Sequence, residues 1–187
     1  MKNNFCRRNL IPPFLSNKKS ETQSFLEFYT AKGKVIQRIH VFPKEWQLSF
    51  KIWAKQHEYN EPSPFIRFQS KDGFKFAFGI GKDGKFYVMI KTQSSNPIRI
   101  PANKIVFFRE WISVKVNLCS FLGQWTLYWT INDIIQDEHE VQGWTVFTDV
   151  TITASKRDGS IGHGKIKEFL FQKSGIKSKS YSSIAYF

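Results

Sequence analysis

Cysteine is nearly absent from this chain: Cys6 and Cys119 are its only two among 187 residues. That is too few for a disulfide framework or a four-cysteine zinc site. A bridge between the two is left open by the sequence, and Cys119, at the end of a strand-like run, reads as packing. The four histidines, His40, His57, His139 and His163, are widely spaced and show no metal-ligand periodicity. There is no nucleophile elbow and no Walker loop, and Gly79-Ile-Gly81 lacks the following helix that a phosphate loop requires. No apolar run approaches the length of a membrane-spanning helix. The start, Met1 to Arg8, is basic like a secretory leader, but the short apolar stretch Leu10 to Leu15 is broken by Pro12 and Pro13, so no intact leader is expected.

Acidic residues are also scarce. Fifteen Asp and Glu face 28 Lys and Arg, for a net charge of +13. Residues 1–24 carry +4 and residues 173–187 carry +3, leaving +6 for the body. Both ends lack hydrophobic periodicity and read as basic arms flanking one domain over 25–172. Such charge attracts phosphate, sulfate or carboxylate on any scaffold, and equally describes a well-solvated surface.

Aromatics and alternation are plentiful, with 19 Phe, 6 Trp and 6 Tyr for a core. In Trp46-Gln-Leu-Ser-Phe-Lys-Ile-Trp-Ala54, Trp46, Leu48, Phe50, Ile52 and Ala54 share one face and Gln47, Ser49 and Lys51 the other. This period of two marks a half-buried strand. Similar runs occur at 27–30, 35–42, 65–69, 74–80, 85–92, 96–100, 111–119, 125–131, 135–141, 150–154 and 165–172. About ten to twelve short strands with frequent turns predict an all-β, two-sheet antiparallel sandwich. Lys71-Asp72-Gly73 and Lys82-Asp83-Gly84 read as hairpin tips, and Arg157-Asp158-Gly159 repeats their theme. No cofactor is expected; calcium needs roughly six to eight oxygens, which these three aspartates approach only if they converge.

Several segments, in order, resemble the concanavalin A-like lectin/glucanase superfamily, particularly its laminin G-like branch. They are Gly33 to Phe50 with its Trp46-x-Leu48-x-Phe50 strand, Phe65 to Gly73 with Phe78-Gly-Ile-Gly81, Glu110-Trp111-Ile-Ser-Val-Lys-Val116, Trp125 to Asn132, Val150 to Ser155, and Gly162 to Phe169. The resemblance covers about 25–172 and implies a jelly roll that binds ligands on a sheet face or rim loops. It does not imply catalysis. Retaining members of the superfamily use paired carboxylates about 5 Å apart, whereas the acidic cluster here, Asp137-Glu-His-Glu140, lacks the family's E-x-D-x-E pattern. The galectin branch's His-x-Asn-x-Arg strand and Trp-Gly-x-Glu motif are also absent.

Candidate ligand residues are aromatics and cations out of phase with the core. Trp53 opposes Trp46, Phe50 and Ile52; Tyr87 opposes Phe86 and Val88; Tyr128 opposes Trp125, Leu127 and Trp129. Exposed rings stack on the C–H faces of sugars while polar neighbours take the hydroxyls. Lys51, Arg67 and Lys115 fall on polar strand faces, with Lys55, Lys75, Lys91 and Arg99 in similar positions. Trp144 reads as a cover for the core. The sequence thus predicts a non-catalytic recognition module for carbohydrate or a protein partner, with no metal site. The alternatives are binding of sulfated glycan or nucleic acid through the basic surface, a structural or adhesive domain, and a glycoside hydrolase acting through Glu138 or Glu140. The resemblance implies an extracellular setting, against the lack of a recognisable leader; neither it nor the sequence specifies oligomeric state.

Overall fold

The computed structural model describes residues 28–29, 34–54, 63–92, 96–105, 109–154 and 164–174. The expected arm over 1–24, Cys6, Lys55, His57, Arg157-Asp158-Gly159 and His163 lie outside them. Twelve strands follow one another among the described residues: β1 (Phe28–Tyr29), β2 (Lys34–Phe42), β3 (Trp46–Ala54), β4 (Ser63–Ser70), β5 (Gly73–Ile80), β6 (Lys85–Ile90), β7 (Ile98–Ile105), β8 (Trp111–Phe121), β9 (Gln124–Ile131), β10 (Ile134–Val141), β11 (Phe147–Ala154) and β12 (Gly164–Lys173). No helix among these residues is long and apolar enough to cross a membrane.

The strands form two six-stranded antiparallel sheets. Sheet I has the order β1-β12-β3-β8-β9-β10, and sheet II the order β2-β11-β4-β5-β6-β7. The period-2 pattern settles which residues face inward: β3 alternates buried and half-buried without a break, because one face packs on the opposite sheet and the other does not. Trp46 of sheet I spans the gap, with ring centres 5.8 Å from Phe68 and 5.3 Å from Phe76 of sheet II. Phe78 does the same from the other side, 5.1 Å from Phe50 and 6.2 Å from Trp129. Trp144 closes one end as expected; its ring centre lies 4.9 Å from Phe147, and its Nε1 donates to the Lys44 carbonyl at 3.0 Å.

The turns explain the repeated Lys-Asp-Gly theme. In both described examples glycine takes the left-handed backbone, with φ 107° at Gly73 and 69° at Gly84, a conformation without penalty only where Cβ is missing. In the second, Gly84 N donates to Gly81 O at 3.0 Å, closing a turn around Lys82 and Asp83.

β7 departs from the sequence expectation. It begins at Ile98 and continues through Pro101 to Ile105, where the sequence suggests an end near Ile100. β7 is an edge strand, where a proline without an N–H can be accommodated. At the other end of the chain β12 reaches Lys173, the first residue of the expected basic tail, and Ser174 N donates to Glu45 O at 3.1 Å.

Candidate ligand-binding face

The outward face of sheet I is polar, and strand register assembles it from distant segments. Across β12, β3 and β8 run the rows Lys165–Trp53–Trp111 and Lys167–Lys51–Ser113. Next come Leu170–Ser49–Lys115–Thr130–Ile135 and Gln172–Gln47–Asn117–Tyr128–Glu138, reaching the edge strand β10. A last row sets Cys119 beside Thr126 and Glu140. Adjacent strands lie about 4.8 Å apart and residues rise about 3.3 Å along them. Trp53 and Tyr128 are therefore on one surface but roughly 20 Å apart, with amides, hydroxyls and ammonium groups between them.

Four of the six candidate residues thus share this face: Trp53, Lys51, Lys115 and Tyr128. Their surroundings are set by β-bulges and turns. A shift in β12 pairing between Lys167 and Leu170 puts Glu168 at φ 53°, from which its carboxylate meets Lys51 Nζ at 2.8 Å. The β9–β10 turn bends back over β8: Asn132 Oδ1 accepts from Ser113 N at 2.8 Å, and Asp133 pairs with Lys115 Nζ at 2.5 Å. Lys167 Nζ lies 4.0 Å from the centre of the Trp111 ring, a cation–π contact. Asn117 Oδ1 and Thr130 Oγ1, in the middle of the face, are buried without a hydrogen-bond partner.

Charge is graded across the surface. Lys165, Lys167 and Lys51 gather on β12 and β3 beside the tryptophans, while Glu138 and Glu140 lie on β10 across from Tyr128 and Thr126. The basic residues do not form one stripe, because Arg67 and Arg99 belong to the other sheet.

Tyr87 and Arg67 lie on the outward face of sheet II, and the expectation of an exposed ring fails at Tyr87. It is 2% exposed. In register it faces Gly79 on one side and Pro101 on the other, and a glycine partner leaves room for an aromatic ring to cover the bare backbone. The Arg99 guanidinium then lies 4.7 Å from the ring centre and reaches Asp83 at 3.5 Å. Burial pushes the Tyr87 hydroxyl up to about 12, against the opposing pull of Arg99. Arg67 sits 5.5 Å from the Phe74 ring with its Nε buried and unpaired. Lys75, expected on a polar face, is buried instead, its Nζ 4.2 Å from the centre of the core ring Phe147. The irregular β4–β5 pairing between Phe68 and Gln69 sets Phe76 opposite Phe68 and Phe74 opposite Gln69, leaving Lys75 between them.

Trp111, Lys167 and Asn117 belong to the same face as Trp53, beyond the candidate ligand residues that the sequence points to. Trp111 was legible, being out of phase with Ile112, Val114 and Val116. The placement of Lys167 depends on the β12–β3 register, which no local pattern encodes.

No protein family and no curated protein matches the chain. Solved structures do. The native heptameric SAP-like pentraxin from Limulus polyphemus is 10% identical with a TM-score of 0.55, over 79% of this chain and 72% of that one. The receptor-binding domain of botulinum neurotoxin mosaic serotype C/D is 12% identical with a TM-score of 0.54, over 86% of this chain. The chain spans 47% of that domain's length. Trypanosoma rangeli sialidase is 8% identical with a TM-score of 0.50, over 70% of this chain and 21% of that one. At these identities the likeness shows the fold alone: the protein is a two-sheet antiparallel jelly-roll sandwich.

Proposed function

We propose that the protein is a non-catalytic recognition module that binds carbohydrate on the outward face of sheet I. The observation that carries this reading is the continuous polar surface with Trp53 and Trp111 near one end and Tyr128 toward the other. Rings at that separation suit an extended oligosaccharide: Trp53 and Tyr128 stack on its sugars, and Gln47, Gln172 and Lys115 take hydroxyls between. Such a preformed surface binds with little rearrangement and weakly per site, so repeated ligands raise avidity. Among the proteins of similar fold, one is described as a receptor-binding domain, which is in keeping with a recognition role. Kinship with the laminin G-like branch rests on the Trp46-x-Leu48-x-Phe50 and Trp111-x-x-Val114-x-Val116 strands.

Neutral glycans are favoured over polyanions because Lys51 and Lys115 are already paired with carboxylates and Glu138 and Glu140 make β10 acidic. Catalysis is not part of the proposal, since those two glutamates are exposed on an edge strand rather than recessed around a scissile bond. A glycan array containing neutral and sulfated chains, run at low and high salt, tests the reading. Binding to neutral oligosaccharides that survives salt supports it. Binding confined to sulfated chains and lost in salt would replace it with polyanion recognition, and silence throughout would favour a protein-contact domain.

A further inference from the structure

Two hairpins of sheet I use the same turn with opposite chemistry. In β9–β10, Ile131 pairs with Ile134 around Asn132 and Asp133, at φ 48° and 62°. In β8–β9, Phe121 pairs with Gln124 around Leu122 and Gly123, at φ 49° and 82°. Two-residue turns with positive φ at both positions favour Asn, Asp and Gly, which tolerate the left-handed region; leucine does not. Strain of this kind is held by the surrounding structure and clusters at functional sites. Leu122 is 88% exposed, the largest value among the exposed large apolar side chains of the described residues, so the core gains nothing from it.

The neighbourhood of this tip is distinctive as well. Trp46 pairs with both Leu118 and Lys173, Phe42 pairs with Phe147, and rings of Phe42, Trp46, Phe68 and Trp144 meet there. These contacts bring the β8–β9 tip, the β2–β3 and β10–β11 loops and the end of β12 to one end of the sandwich. Around it Val41 is 64%, Phe121 47% and Val146 41% exposed, together with exposed Lys44, Lys71 and Lys173. The nearby Glu45 carboxylate is engaged by Ser120, whose Oγ and N donate to it at 2.5 and 3.2 Å. The base of the hairpin is thereby fastened while its tip projects.

We propose that this end of the sandwich docks on an anionic phospholipid surface, with Leu122 entering the interface and Lys44, Lys71 and Lys173 meeting the headgroups. Apolar side chains projecting among lysines match the two parts of that surface, an acyl boundary beneath negative charge. The net charge of +13 acts in the same direction. This docking is independent of the glycan face.

The test is co-sedimentation of the full chain with vesicles of phosphatidylcholine alone or with phosphatidylserine added, comparing wild type with Leu122→Asn. Asparagine suits the left-handed turn, so the variant folds and melts at the same or a higher temperature. The expected result is binding of wild type to the phosphatidylserine vesicles only, weakened about tenfold in Leu122→Asn, a change of about 1.4 kcal/mol. Leu122→Trp retains binding and shifts its emission to the blue on those vesicles. Equal binding by wild type and Leu122→Asn would overturn the proposal, as would equal binding to both vesicle types. Absence of wild-type binding to either would overturn it in favour of a protein contact at the tip.

Discussion

The ammonium of Lys167 lies 4.0 Å from the centre of the Trp111 ring, and Trp111 stands directly across the β3–β8 pair from Trp53. Of these two neighbouring indoles, Trp111 already has a cation on its ring, and Trp53 is the one proposed to stack on a sugar. Replacing Lys167 by Met removes a contact of about 0.5–1 kcal/mol, seen as a small fall in melting temperature. It removes the charge while an apolar side chain still covers the Trp111 ring, so neutral-glycan affinity holds while attraction to sulfated chains falls, as surface plasmon resonance against both will show.

Tyr87 makes a pH-dependent contribution to stability. In the folded chain its hydroxyl holds its proton to about 12, against 10.0 ordinarily. Below pH 10 both states keep the proton and the full stabilisation is present. Between pH 10 and about 12 the unfolded state ionises first, and stability falls. The two-unit difference corresponds to about 2–3 kcal/mol. Denaturant titrations from pH 9 to 12 check this: Tyr87→Phe flattens the decline relative to wild type and leaves glycan binding unchanged.

Gly164 ties the fold to the proposed site. A Cβ there would meet the Trp53 carbonyl oxygen at 2.5 Å and Phe65 Cε1 at 3.0 Å, and a backbone oxygen in a paired strand cannot swing aside. Gly164→Ala destabilises by about 1–3 kcal/mol and weakens glycan binding by displacing β3 at Trp53. Thermal melts together with a glycan titration read both effects.

Thr130 offers the opposite case. Its hydroxyl is buried without a partner, an arrangement whose desolvation costs about 1–3 kcal/mol. Thr130→Val keeps the shape and removes the orphaned group, so the protein is predicted to melt several degrees higher. A lower melting temperature would show that the hydroxyl is satisfied in solution.

Alternation along single strands was enough to place Trp53 and Tyr128 opposite the core, because period two needs only neighbours in sequence. It was not enough for Tyr87, whose burial depends on Gly79 and Arg99 in two other strands. Nor does it reveal that Lys51 and Lys115 share a surface while Arg67 does not, since β3 pairs with β8 and β12 from distant parts of the chain. Pro101 reads as a strand end locally, yet it sits inside an edge strand. The β8–β9 turn escapes notice because Leu122 is a residue that turn chemistry disfavours.

The central claim is that Trp53 stacks on a neutral sugar. Isothermal titration of wild type and Trp53→Ala with a neutral oligosaccharide selected by the array, at low and high salt, addresses it most directly. The account predicts a salt-insensitive wild-type affinity and a loss of roughly tenfold or more in the variant, about 1.4 kcal/mol or greater. Equal affinity of the two proteins would contradict it.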